Sequence, residues 1–214
     1  EKVSKLGTFR LLNRIINRKS NSLGIVTLIR HEVFNSLKKE QQESYRAILY
    51  FIDNEFLKFH SILCEELDAF FENLFFFVDS NDKSENYEKK VRFFKTTIED
   101  QNFKTEVYDK FERSENSFLV YTKKIDEFIA LFADGSLRQL KQKINLNLRS
   151  LKMAKEKLSV VFHAIQFILG AREENFIFWG EAKNSKIGNL ISLKAVPLYI
   201  GDEMVTSVYN KFKT

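Results

Sequence analysis

Through residue 174 this chain contains no proline, and its apolar residues recur every three or four positions. That combination commits most of it to long helices. Proline is the residue that most strongly interrupts a helix, and a three-to-four spacing keeps side chains on one face. Tyr45, Leu49, Ile52, Phe56, Phe59, Leu63, Leu67, Phe70, Leu74 and Phe77 form one such stripe, in a helix expected over 40–78. Leu137, Leu140, Ile144, Leu148, Leu151, Leu158, Phe162, Ile165 and Leu169 form another, close to heptad spacing, in a helix expected over 137–173. Further helices are expected over 5–19, 25–38 and 103–133. Asp134 and Gly135 read as the stop of the last, and Ser136 as the N-cap of its successor. Helices of thirty or more residues are roughly 45–60 Å long. Joined by loops, they make an elongated antiparallel bundle.

The period changes at Asn175. Phe176 to Trp179 and Leu190 to Val196 read as two strands, with a polar turn from Lys183 to Asn189 between them. The only proline, Pro197, follows, and then a short terminal helix. Two strands alone are marginal in water, so the hairpin is expected to join a sheet, in this chain or in flanking sequence. Val91, Arg92 and Phe93 hint at one further short strand within 87–94. The expected fold is mainly α, with a helical domain over 1–174 and a β-hairpin and helix over 175–214. The run Phe70, Phe71, Leu74, Phe75, Phe76, Phe77, Val78 is apolar nearly all round. Either the fold or a partner must cover it.

The single Cys64 excludes an intramolecular disulfide and any multi-cysteine cluster within this chain. It fits a reducing, cytoplasmic setting. No uncharged apolar run is long enough to span a membrane. The start, Glu1-Lys2-Val3-Ser4-Lys5, lacks an initiator Met and is not a signal peptide, so a piece of a longer protein is expected. Charge is segregated along the chain. Residues 1–39 hold nine Lys/Arg and two acids, residues 40–79 two and nine, and residues 136–157 seven and one. Such blocks build a basic face for polyanions, or they neutralise one another as helices lying side by side.

No phosphate-binding glycine loop and no His-Glu-x-x-His motif occurs. His31, His60 and His163 lie far apart, and His60/Cys64 is the nearest approach to a ligand pair. No carboxylate pair stands out as acid and base. The residues therefore assign no catalytic, cofactor or metal site to this chain. One basic pattern is more specific. Arg138, Lys141, Arg149 and Lys152 fall within a sector about 80° wide of the last long helix, with Asn145 among them. Arg10, Arg14 and Arg18 make a similar row on the first helix. Rows of this kind can track a phosphate backbone, where affinity comes from charge and not from base identity. They can equally be solvated, or paired with the acidic 40–79 helix.

The C-terminal run carries a family resemblance. Phe176, Ile177, Phe178 and Trp179 are followed by Leu190 to Pro197-Leu198, and then by Asp202 to Phe212. This resembles the DinG/XPD-like superfamily 2 DNA helicases, over about forty residues and without a catalytic signature. In that family a tryptophan-bearing strand precedes a second strand ending in Pro-Leu. A largely helical arch domain is inserted upstream, in the first motor domain. The resemblance implies a parent enzyme that uses ATP and Mg to move 5′→3′ along single-stranded DNA, with the motor machinery outside this chain. It makes this chain a part that encloses or guides the strand beside the motor domains. The competing expectation is a non-enzymatic helical scaffold that docks a protein or an anionic membrane surface.

Overall fold

The computed structural model of the chain describes residues 1–16, 23–40, 43–133, 135–186 and 188–198, the side chains of 39, 40 and 136 excepted. The elements run in the order β1 (Lys2–Ser4), α1 (Lys5–Ile15), α2 (Ile25–Glu40), α3 (Glu43–Phe51), α4 (Leu57–Asn81), β2 (Glu88–Phe93), α5 (Lys95–Glu99), α6 (Gln101–Phe103), α7 (Asp109–Ala130), α8 (Arg138–Gly170), β3 (Phe176–Ser185) and β4 (Gly188–Pro197). The fold is mainly α with a small antiparallel β element. Among the described residues no helix is long and apolar enough to cross a membrane. The terminal helix expected after Pro197 lies outside the described residues, as does Arg18.

Two π turns account for helices that the sequence shows as uninterrupted. Ile52–Phe56 links α3 to α4, and Lys104–Tyr108 links α6 to α7. Buried residues step by four through the first, at Ile48, Ile52, Phe56 and His60, and through the second, at Phe103, Val107 and Phe111. In an α-helix each step of four drifts by about 40°. A wider turn takes up that drift and keeps the seam facing inwards.

Several boundaries differ from those expected. α4 continues to Asn81, into the expected loop. Ser80 Oγ and Asn81 Nδ2 donate back to the Phe77 carbonyl at 3.2 and 2.8 Å, and this finishes its last turn. α8 starts at Arg138 after a 3₁₀ turn over Gly135–Leu137, and it ends at Gly170 and not at 173. Ala171 stops it by adopting φ +37°, the left-handed conformation of a helix C-terminus. The hairpin is longer than expected. Pairing continues from Phe176↔Pro197 to Ser185↔Gly188, through most of the expected turn, and Gly188 takes φ +112°.

The chain forms two compact units, and neither has an edge at 174/175. One unit comprises Lys5–Phe71 and Asp109–Phe162 and is helical. Its interior is aromatic. Phe56 meets Tyr121 and Phe128 edge-on, each at 5.4 Å, and Phe118 stacks on Phe162 at 4.0 Å. Phe111 reaches Phe70 at 5.5 Å.

The other unit comprises Glu1–Ser4, Glu72–Tyr108 and the chain from His163 onward. It holds a four-stranded antiparallel sheet in the order β1-β4-β3-β2. Both edges of the hairpin are paired by strands of this chain: β1 on β4, with Val3 opposite Leu193, and β2 on β3, with Val91 opposite Gly180. One sheet face packs on the last turns of α4, on α6 and on the end of α8. Phe93 and Phe77 meet Phe103 at 5.6 and 5.1 Å, and Phe178 meets Phe167 at 5.2 Å. Of the apolar run at the end of α4, Leu74, Phe75, Phe77 and Val78 are buried in this unit and Phe70 and Phe71 in the helical one, and only Phe76 is open.

Gly180 is required where the sheet meets α4. A Cβ there would lie 2.7 Å from Val78 Cγ2 and 3.1 Å from Phe93 Cζ, both on buried side chains. Gly180→Ala is expected to destabilise the protein by about 1–3 kcal/mol through overpacking. The check is a lower urea midpoint at unchanged m.

Candidate nucleic-acid interface

α8 is amphipathic along its whole length, and its burial pattern fixes where its cations point. Leu137, Leu140, Ile144, Leu148, Leu151, Leu158, Phe162, Ile165 and Leu169 are all buried. The sector flanking this seam carries Arg138, Lys141, Arg149 and Lys152, all exposed, together with the exposed Asn145. Fourteen residues separate the first cation from the last, about 21 Å along the axis. On α1, Leu12 and Ile15 are buried while Arg10 and Arg14 are exposed. Both rows belong to the helical unit, but no described hydrogen bond, ion pair or ring contact joins them.

Ion pairing decides whether the α8 row is neutralised. Four acidic residues of the 40–79 region, Asp53, Glu55, Asp68 and Asp79, are engaged by other cations. Lys5 holds Asp68 at 2.6 Å, Arg30 holds Asp53 at 2.9 Å, and Lys124 holds Glu55 at 2.7 Å. Hydrogen bonds to Glu127 and then Glu55 raise the pKa of the Lys124 ammonium, and the hydrogen bond to Asp53 raises that of Arg30. On α8 itself Lys155 holds Asp126 at 2.6 Å. Among the described residues, none of Arg10, Arg14, Arg138, Lys141, Arg149 or Lys152 has an acidic partner at salt-bridge distance.

Glu156, eighteen residues on from Arg138, stands in the same sector by helical spacing and bounds the row. Two further features were not visible in the sequence pattern. Lys143 shares a recess of about 320 Å³ with Lys38, Glu32, Asn35 and Ser36 of α2. α2 and α8 are far apart in sequence, so only the fold could join these two lysines. Finally, Leu146, Met153 and Val160 recur at heptad spacing beside the cations and are 74%, 55% and 68% exposed.

The histidines sit in three different settings. His60 is buried, with Nδ1 3.0 Å from the Tyr121 hydroxyl and Nε2 3.6 Å from Cys64 Sγ. Burial, and then the charge of Cys64, push the Tyr121 phenol well above its usual pKa, so it keeps its proton. These groups act as a hydrogen-bonded part of the core. His31 meets Asn35, and His163 lines an open recess with Tyr108 and Arg172. Among the described residues no group of three or more His, Cys, Asp or Glu is placed to hold a metal.

Comparison with models of known protein families and with curated proteins gives no match.

Proposed function

We propose that this chain is part of a DinG/XPD-like DNA helicase and that it guides single-stranded DNA beside the motor. Arg138, Lys141, Arg149 and Lys152 of α8 contact phosphates, and Arg10 and Arg14 of α1, with Arg18, add a second basic stretch. The supporting observation is that the α8 cations lie exposed in one row with no acidic partner among the described residues, while Asp68, Asp53 and Glu55 of the acidic 40–79 region are held by Lys5, Arg30 and Lys124. A row of unpaired cations about 21 Å long suits a flexible polyanion, which adapts to the spacing of the charges. The parent would bind ATP and Mg, translocate 5′→3′ and serve DNA repair in the cytoplasm. All of that chemistry would come from the motor domains.

The test is fluorescence anisotropy of a labelled single-stranded oligonucleotide titrated with this chain at two salt concentrations. Binding that weakens steeply with salt is expected. Absence of binding at low salt would overturn the assignment. A second reading, an interaction scaffold, is favoured by the exposed stripe of Leu146, Met153 and Val160. A partner helix could pack along it. Stable self-association or liposome binding without DNA binding would select that reading.

A further inference from the structure

The sheet has a second face, and its composition differs from the packed one. Register sets Lys2, Lys194, Trp179 and Arg92 side by side across all four strands. The next outward row is Ser4, Ser192, Glu181 and Lys90. Strand alternation places both rows opposite the face that carries Val3, Leu193, Gly180 and Val91. Lys2, Lys90 and Arg92 are exposed and Trp179 is partly so.

The only acid in these two rows is internally satisfied. Glu181 is buried, ion-paired with Lys194, 3.6 Å from Lys90 Nζ, and accepts the Trp179 indole N–H at 2.9 Å. Burial raises its pKa, but the hydrogen bonds from Lys194 and Trp179, with the charges of Lys194 and Lys90, outweigh this and hold it below the usual carboxylate range. These contacts also fix the indole in place. Lys2 and Arg92 remain without an acidic partner among the described residues.

Aromatic rings and cations alternate on this side. Lys194 Nζ lies over Trp179 at 5.9 Å, and Arg92 Cζ over Phe94 at 5.2 Å. Phe94, just past β2, is 52% exposed. An open sheet face with fixed aromatic rings flanked by cations matches one polyanion chemistry in particular. An unpaired base can stack on a ring while its phosphate meets a cation. An acidic peptide would use the cations but leave the rings unused.

We propose that this outer sheet face is a second contact for single-stranded DNA, with a base stacked on Trp179 and phosphates held by Lys2 and Arg92. The choice of ligand rests on the helicase reading, and the site itself rests on the sheet. Trp179 is the only tryptophan in the chain, so its emission reports this site alone. The experiment titrates the chain with an oligothymidylate of about 12 nucleotides, and separately with an abasic strand of equal length, following tryptophan emission and the anisotropy of a labelled strand. A saturable loss of emission with the oligothymidylate, absent with the abasic strand, is expected. Trp179→Ala should weaken binding about five- to hundredfold, and Trp179→Phe, which keeps a ring, by much less. If the Ala variant fails to fold, the Phe variant and the wild-type titrations decide the matter. Rising anisotropy with unchanged emission would overturn the sheet site and leave the α8 reading standing. Equal emission loss with both strands would also overturn stacking. No rise in anisotropy with either strand would overturn both readings.

Discussion

Phe128→Ala is expected to lower the unfolding free energy by about 3–5 kcal/mol, the cost of removing a large buried ring without full collapse of its site. Phe128 is fully buried at the centre of a ring cluster. It meets Phe51 at 5.9 Å, Phe56 at 5.4 Å and Phe132 at 5.3 Å. It thereby ties α7 to α3 and to the π turn that follows α3. A domain of ordinary stability has only about 5–15 kcal/mol in total, so the variant should be near the edge of folding at room temperature. Urea denaturation followed by far-UV circular dichroism measures the change. Phe128→Leu fills most of the volume and should cost clearly less. A loss below about 1 kcal/mol for the Ala variant would mean that the cluster is not the core of the helical unit.

The second large effect is on binding. Replacing Lys141, Arg149 and Lys152 together with Glu should weaken single-strand binding by about a hundredfold near 0.1 M salt. Each phosphate contact to a single strand contributes about 0.7 to the slope of log affinity against log salt, so losing three lowers the slope by about two. All three side chains are exposed and lack described acidic partners, so stability should barely change. That separation is informative, because a misfolded variant would lose both. Equal affinity and equal slope would remove these residues from the interface. Reversal of Lys58 and Lys123, exposed on other helices, should have a smaller effect.

The long helices were legible because their seams are. A stripe such as Leu137 to Leu169 repeats over nearly nine turns, and no other periodicity competes with it. The exposed placement of Arg138, Lys141, Arg149 and Lys152 follows from the same stripe, since they lie off the seam. The π turns were not legible. They change the phase of the helix without changing residue type, and the steps of four at Ile48, Ile52 and Phe56 look the same either way. β1 was hidden because three residues, Lys2, Val3 and Ser4, are too few to show an alternation. Its pairing with β4 spans nearly the whole chain, which local reasoning cannot reach. For the same reason the sequence left open whether the hairpin joins a sheet of this chain or of flanking sequence, and β1 and β2 supply both edges. The ion pairs that leave the α8 row unpaired were equally out of reach, because charge blocks do not reveal which lysine meets which carboxylate. The aromatic–cation set on the sheet has that origin too: Arg92 and Trp179 are neighbours only through strand register.

The most direct test of the α8 interface is lysine footprinting by a small acylating reagent, read by mass spectrometry with and without a saturating single strand. Lys141 and Lys152 should be strongly labelled in the free chain and protected in the complex. Lys155, which holds Asp126, and Lys58 should change little on binding. If Lys141 and Lys152 stay equally reactive while the strand is bound, the phosphates run elsewhere and the α8 face is not the interface.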